Sequence, residues 1–202
     1  MSAGETFIAP GFSELGPQSQ AVFRALLSAM SEPGRVLGCP ALIENTPMPP
    51  VLAAVALTLL DFETPVFLAG GLASKEARAF LSFHTGAPII AEPAKAIAIL
   101  AQTANELPPI PDLNAGMPDY PDRSATVIVG VSGFETGVRV SLCGPGVRDL
   151  REFCAEGLST AFWEAAAVNA ARFPLGADFV FCGPRSLAAL PRSTLSTILA
   201  AR

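Results

Sequence analysis

Histidine, lysine and paired cysteines are scarce in this chain, and each shortage closes off a class of chemistry. One histidine, His84, stands in 202 residues. A His-rich metal site is therefore excluded, and any Ser–His–Asp or Cys–His arrangement would have to use His84. Only two lysines, Lys75 and Lys95, stand against eleven arginines. A pyridoxal phosphate (PLP) enzyme needs a lysine for its Schiff base. Lys75 opens an expected helix beside Glu76 and Lys95 precedes an apolar stretch, so neither suits a PLP lysine. No cofactor and no metal are expected. Cys39, Cys143, Cys154 and Cys182 form no CxxC pair. Three of them sit in or beside apolar runs, which reads as reduced, buried thiols in a cytosolic protein.

Charge is scarce too. Half the residues are apolar and 15% are charged, where a typical domain carries about 25%. Such a chain has few polar groups with which to cover its surface, and a surface buried against a partner is expected. The net charge of −5 argues against a nucleic-acid footprint, which needs clustered Lys and Arg. The longest apolar run, Val51–Leu60, is half of the roughly 20 residues that a membrane helix needs, and Asp61 and Glu63 close it. No basic stretch followed by an apolar core marks the start as a leader. The expectation is one cytoplasmic domain over 1–202, with 1–16 a flexible N-terminal segment and no membrane contact.

Periodicity predicts an amphipathic helix over Pro17–Met30 with Val22, Phe23, Leu26, Leu27 and Met30 on its inner face. Pro33-Gly34 ends it. A short strand over Arg35–Cys39, a buried helix over Val51–Leu60 and a strand over Pro65–Ala69 follow. Ser74 caps a helix running to about Phe83. Pro88–Ala91 and Ala96–Leu100 read as buried strands. Gln102–Arg123 holds five prolines, which no helix or central strand accepts. A loop of that length is more often functional or at an interface. Ala125–Val131 and Gly137–Cys143 read as strands joined by a hairpin-like turn at Ser132–Thr136. Gly157–Arg172 reads as a helix with Leu158, Ala161, Phe162, Ala165 and Val168 inward. Asp178–Cys182 is a strand, and the tail is expected to be helical. Alternating strands and helices with one antiparallel pair predict an α/β layered sheet covered by helices.

Several residues could carry chemistry. His84, followed by Thr85-Gly86, either serves proton transfer or sits at a helix C-terminus against the dipole. Gly144-Pro145-Gly146, ahead of Arg148, Asp149 and Arg151, is either an anion-binding turn or a plain tight turn; Pro145 removes one donor. Asp61 and Asp178 border apolar runs, and Asp178 with Arg192 or Arg172 would make a structural ion pair. Arg35 and Arg192 follow prolines or glycines, where a turn can fix a guanidinium to hold a phosphate or to tie a loop.

A series of short landmarks runs in order along the chain. They are Phe23-Arg24, Ala29-Met30, Pro33-Gly34-Arg35, Leu57-Thr58-Leu59-Leu60-Asp61, Phe83-His84-Thr85-Gly86, Ser124-Ala125-Thr126, Gly144-Pro145-Gly146, Phe173-Pro174-Leu175-Gly176-Ala177-Asp178 and Leu190-Pro191-Arg192. From about Phe23 to Thr194 the series resembles the H subunit of the bacterial carbon–phosphorus lyase (C–P lyase) core complex. Val147 and Ala177 depart from that pattern, and both keep its apolar character. The resemblance implies a three-layer α/β/α sandwich with a mixed sheet, similar to the large domain of PLP-dependent transferases without the cofactor site. It implies G, I and J subunits as partners and a homodimer when isolated. It further implies an accessory or scaffolding role in the transfer of an alkylphosphonate to the ribose C1′ of ATP, with release of adenine. The product would be a ribose 1-phosphonate 5-triphosphate. The family supplies no catalytic set for this subunit, so the catalytic residues are unknown. Only landmark positions carry over as ligand or interface candidates: Arg35, Asp61, His84, Thr85, Ser124, Gly144, Gly146, Asp178 and Arg192. Arg148 joins them from the residue reading. The alternative is a stand-alone enzyme or sensor for a phosphorylated metabolite, with His84 as acid–base and Arg35, Arg148 or Arg192 on the phosphate.

Overall fold

The structure is a computed structural model and describes residues 8–200. Its centre is a run of short, almost wholly apolar strands that can only be satisfied between two covering layers. Strands β2 (Val66–Leu68), β3 (Ile89–Ile90), β4 (Ala98–Ala101), β5 (Thr126–Gly130) and β8 (Asp178–Cys182) are parallel. β9 (Ser186–Leu190) runs antiparallel to β8, and β1 (Leu37–Gly38) antiparallel to β9. The sheet order is β1-β9-β8-β5-β4-β2-β3.

Side chains alternate between the two faces, as the pleat requires. Ala98, Leu100, Ile128, Val180 and Cys182 join a core with helices α1 (Leu15–Ser31), α2 (Pro50–Leu59) and α3 (Lys75–Thr85). Ile99, Val127, Val129, Phe179 and Phe181 face a second core. Over it lie α4 (Thr160–Ala170) and a small antiparallel sheet of β10 (Leu195–Ile198), β6 (Val140–Cys143) and β7 (Arg151–Phe153). Five aromatic rings knit this second core. Phe179 and Phe181 stack with planes 9° apart. Phe162 meets Phe179 edge-on at 5.4 Å, and Trp163 meets Phe153 edge-on at 6.0 Å. Such pairs add roughly 0.5–1.5 kcal/mol each beyond their burial. The protein is thus α/β with a mixed seven-stranded sheet, and its third layer is one helix plus a small sheet rather than helices alone.

Four expectations are corrected. Ala125–Val131 and Gly137–Cys143 do not form a hairpin: β5 lies in the central sheet and β6 in the small one. The connection leaves the sheet because Ser132 N donates to Glu156 O at 3.4 Å and Glu156 N to Gly133 O at 2.9 Å, pinning it to the chain beyond β7. The tail is not helical. Leu187–Leu190 pair with β8, and Leu195–Ile198 with β6, so sheet partners override the helix preference of Ala188-Ala189. In α1 the inner face is Val22, Leu26 and Ala29, while Phe23 and Leu27 are 44% and 53% exposed. In α4, Ala161 and Val168 point outward and Phe162, Trp163, Ala166 and Asn169 inward. That helix is apolar almost all round, so periodicity could not choose its face.

The five-proline stretch has no α-helix and no strand of the named sheets, only 3-10 turns at Ala104–Glu106, Ile110–Asp112 and Pro121–Arg123. Ser74 does cap α3, its side chain accepting from Ala77 N at 3.1 Å. Of the expected flexible segment, residues 1–7 lie outside those described. Ile8, Ala9 and Phe12 pack against the first core, and Leu15 already opens α1. No helix among the described residues is long and apolar enough to cross a membrane.

The layers lock together where three turns meet. Gly34 N donates to Ala189 O at 3.0 Å. Arg151 Nη1 donates to the carbonyls of Glu32 and Pro33 at 3.0 and 2.8 Å. Gly146 has φ +79°, and a Cβ there would lie 2.0 Å from Ser31 O. Gly146→Ala should therefore combine left-handed strain with a backbone clash, costing at least about 2 kcal/mol in urea unfolding. An unchanged midpoint would show that this contact gives way freely.

Candidate functional site

The candidate residues fall at three separate places, and at each the local bonding is explicit. His84 lies in the last turn of α3, whose cap is Gly86 in the left-handed region. Its Nε2 lies 2.9 Å from Ala9 O, which fixes that nitrogen as the donor. Phe80 and Phe83 pack edge-on against its ring at 4.7 and 5.0 Å. A side chain at Gly11 would come within 3.0 Å of the imidazole, so the segment around residue 10 lies directly over it. Thr85 Oγ1 donates to Leu81 O at 2.7 Å and accepts from Ala87 N at 3.1 Å. Asp61 Oδ1 accepts from Glu63 N at 2.9 Å and Thr64 Oγ1 at 2.7 Å, holding the turn that leads into β2.

The second place is the meeting of turns described above. Gly144 and Gly146 allow the β6–β7 turn to approach Ser193 and Ser31. Arg35 pairs with Glu32 on the surface, and Arg148 is exposed with no ion pair among the described residues. This is a close-packed joint between α1, β9 and the small sheet.

The third place is the amino-terminal edge of the central sheet. Asp178, the first residue of β8, accepts Arg192 N at 2.7 Å and Arg192 Nε at 3.1 Å, and the Arg192 fork completes a bidentate ion pair with it. Arg192 Nη1 also donates to Pro121 O, which fastens the proline-rich loop. The two side chains are only 13% and 15% exposed. Ser124, at the same edge, has a buried hydroxyl with no partner among the described residues. Asn169 braces the edge from α4: its amide donates to Ala177 O at 2.9 Å and accepts Ala177 N at 2.8 Å. Asn169 was not foreseen, although an Asn among the apolar residues of a helix's inner face is a signal that a backbone partner is near.

At the opposite edge, the carboxyl ends of β4, β5 and β8 frame a cleft of about 290 Å³. In open α/β sheets this is the side where ligands bind. Gln102, Thr103, Ser132, Glu156 and Cys182 line it. No residue of the candidate set does. Beside it, Glu106 accepts Gly71 N and Gln102 N at 3.1 Å each and Thr103 N at 3.3 Å. Gly70 leaves the room for this carboxylate, since a Cβ there would lie 2.4 Å from Glu106 Cδ. The Thr103-x-x-Glu106 spacing is the capping-box pattern, a local signal that could have marked this feature. Glu156 carried no such signal. Burial pushes the Cys182 thiol far above its ordinary range, and the neighbouring Cys39 adds to the shift. Burial also raises Cys39, partly offset by the backbone of Ala41. Neither is a thiolate nucleophile near neutral pH. Lys95 pairs with Glu92 on the surface, and Lys75 is exposed at the start of α3. Among the described residues no three His, Cys, Asp or Glu side chains gather as metal ligands.

Comparison with known proteins gives a match over residues 10–197 to the family described as bacterial phosphonate metabolism protein (PhnH). The chain is 31% identical over 196 residues to the alpha-D-ribose 1-methylphosphonate 5-triphosphate synthase subunit PhnH of Rhizobium meliloti (strain 1021), spanning 96% of this chain and 98% of the relative. It is 29% identical over 178 residues to the putative C-P lyase subunit protein HtxG of Stutzerimonas stutzeri, spanning 88% of this chain and 85% of the relative.

The Arg192 clamp yields a direct expectation. Removing one partner of a largely buried pair leaves the other charge uncompensated, at a cost of about 3–5 kcal/mol when burial is complete. With this residual exposure, Arg192→Ala should lose about 2–4 kcal/mol in urea unfolding. It should also open the Pro121 end of the proline-rich loop to limited proteolysis. A loss under about 1 kcal/mol would put Arg192 among ordinary surface pairs.

Proposed function

The chain belongs to the bacterial phosphonate metabolism protein (PhnH) family, and on that footing we propose that it is an accessory or scaffolding subunit of the C–P lyase core complex. In this reading it assembles with the G, I and J subunits and supports transfer of an alkylphosphonate to the ribose C1′ of ATP with release of adenine. The product is a ribose 1-phosphonate 5-triphosphate. The protein works in the cytoplasm and forms a homodimer when isolated. Its sheet is kin to the large domain of PLP-dependent transferases.

The observation that carries the accessory role is the dispersal of the candidate residues. His84 is engaged with Ala9, Arg35 with Glu32, and Arg192 with Asp178 and Pro121. These groups tie chain segments together and are not gathered around a common space. A second support is the exterior. Phe62 and Phe83 are 72% and 67% exposed, and Phe23 and Leu27 add an outward apolar row on α1, whose sole charge is Arg24. Aromatic side chains left in water on a charge-poor surface suit a subunit that buries them in an assembly. The stand-alone reading, with His84 as acid–base and Arg35, Arg148 or Arg192 on a phosphate, draws no support from this arrangement.

Co-expression of the tagged chain with the G, I and J subunits, followed by native mass spectrometry, tests the proposal. A stoichiometric complex containing the chain is expected. His84→Ala should still assemble, while losing about 1–2 kcal/mol of stability with its contact to Ala9. A complete complex of the other three that leaves this chain outside as a homodimer would overturn the assembly role.

A further inference from the structure

The cleft at the carboxyl ends of β4, β5 and β8 is built to refuse anions and accept hydroxyl donors. Of the residues that line it, only Glu156 is charged. Its carboxylate makes no hydrogen bond or ion pair among the described residues, and it leans over Gly133, where an added Cβ would lie 3.1 Å from Oε1. Ser132 and Thr103 add hydroxyls, and Gln102 adds an amide. Three backbone amides at the rim, those of Gly71, Gln102 and Thr103, already hold the Glu106 carboxylate. The adjoining groove shares Ser132, Glu156 and Pro184 with the cleft. Arg185 there is offset by Glu135, so the groove has no net positive charge.

Glu156 follows β7 of the small sheet, and its backbone bonds with Ser132 and Gly133 bring it beside the segment that leaves the carboxyl end of β5. An unpaired carboxylate there is well suited to a vicinal diol, whose two hydroxyls donate to its two oxygens. In other open α/β sheets a carboxylate at the carboxyl ends of the strands holds ribose, although there it comes from the parallel sheet itself. The volume, about 290 Å³, is of the order of a nucleoside. We infer that this cleft binds the uncharged ribose end of a nucleoside, with Glu156 accepting from the 2′- and 3′-hydroxyls and Ser132 assisting. Phosphate groups lie outside it, directed away from Glu106. The choice of a nucleoside among diol-bearing ligands rests on the proposed function, in which ATP is the ribose donor.

The test is calorimetric titration of the full chain with adenosine, with 2′,3′-dideoxyadenosine and with methylphosphonate. Adenosine should bind. The dideoxy compound should bind at least tenfold more weakly, because both charge-assisted bonds are gone. Methylphosphonate should neither bind in the cleft nor displace adenosine. Glu156→Gln keeps the shape and removes the charge, and should weaken adenosine at least tenfold; Ser132→Ala should weaken it less. No adenosine binding up to millimolar concentration, equal affinity for the two nucleosides, or an unchanged Glu156→Gln would each overturn the inference. Native mass spectrometry of Glu156→Gln with the G, I and J subunits separates the two claims. An assembled variant that has lost adenosine affinity supports the site, whereas failure of the wild-type chain to assemble counts against the proposed function alone.

Discussion

A parallel sheet with both faces hidden from water has two edges left for polar chemistry, and that constraint organises this protein. Strands β4, β5 and β8 expose almost no side chain on either face. Helices α1–α3 must therefore cover one face, and α4 with the small sheet the other. Charged and hydrogen-bonding groups are driven to the strand ends. At the amino edge they are spent on closure: Asp178 on Arg192, Asn169 on Ala177, and Arg192 again on Pro121. At the carboxyl edge Glu106 closes three amides, and the Glu156 carboxylate has no partner among the described residues. The same covering requirement explains why short strands suffice. Each contributes few side chains, but in β4, β5 and β8 nearly all of them are buried.

How much of this was legible depended on whether a signal was local. The α2 helix was readable from its unbroken apolar run, and β5 and β8 from their Val, Ile and Phe content. The end of α3 was readable from His84-Thr85-Gly86, because Gly at the C-cap has one structural meaning. The Asp178–Arg192 pair was among the pairings weighed, since a carboxylate bordering an apolar strand needs a cation. By contrast, the partition of β5 and β6 into different sheets depends on Glu156 bonding back to Ser132 and Gly133, a contact between residues more than 20 apart in sequence. Nothing near Ser132–Thr136 announces it. The tail failed for the same reason: Ala188-Ala189 favours helix locally, and only β8 beside it makes a strand.

The candidate site was legible in a different sense. The landmarks that carry the family resemblance are the places where distant segments touch: Gly146 against Ser31, Gly34 against Ala189, Arg192 against Asp178 and Pro121, His84 against Ala9. A position where only Gly fits, or where a guanidinium spans three segments, tolerates little change whatever the protein does. Such residues identify a fold with high specificity and say little about a reaction. The cleft is the converse. Ser132, Glu156 and Gln102 are ordinary residues in loops, and only the fold makes them neighbours.

The two edges thus divide the labour, and the division bears on how the proposed accessory role could matter to a reaction on a charged substrate. Binding a triphosphate would need several cations held in place, and the charge-poor chain has its best-fixed arginines, Arg151 and Arg192, already committed to backbone carbonyls and a carboxylate. What it can supply without further cations is contact with uncharged groups: a carboxylate for hydroxyls, and exposed Phe side chains for a protein surface. Both act by restricting the position of something whose charge is handled elsewhere. Positioning of that kind is worth a great deal when two reactants must be aligned, because the entropy of alignment is then lost on binding rather than at the barrier. A scaffold that held the sugar while a neighbouring subunit held the phosphates would contribute to the rate without a single reacting group of its own.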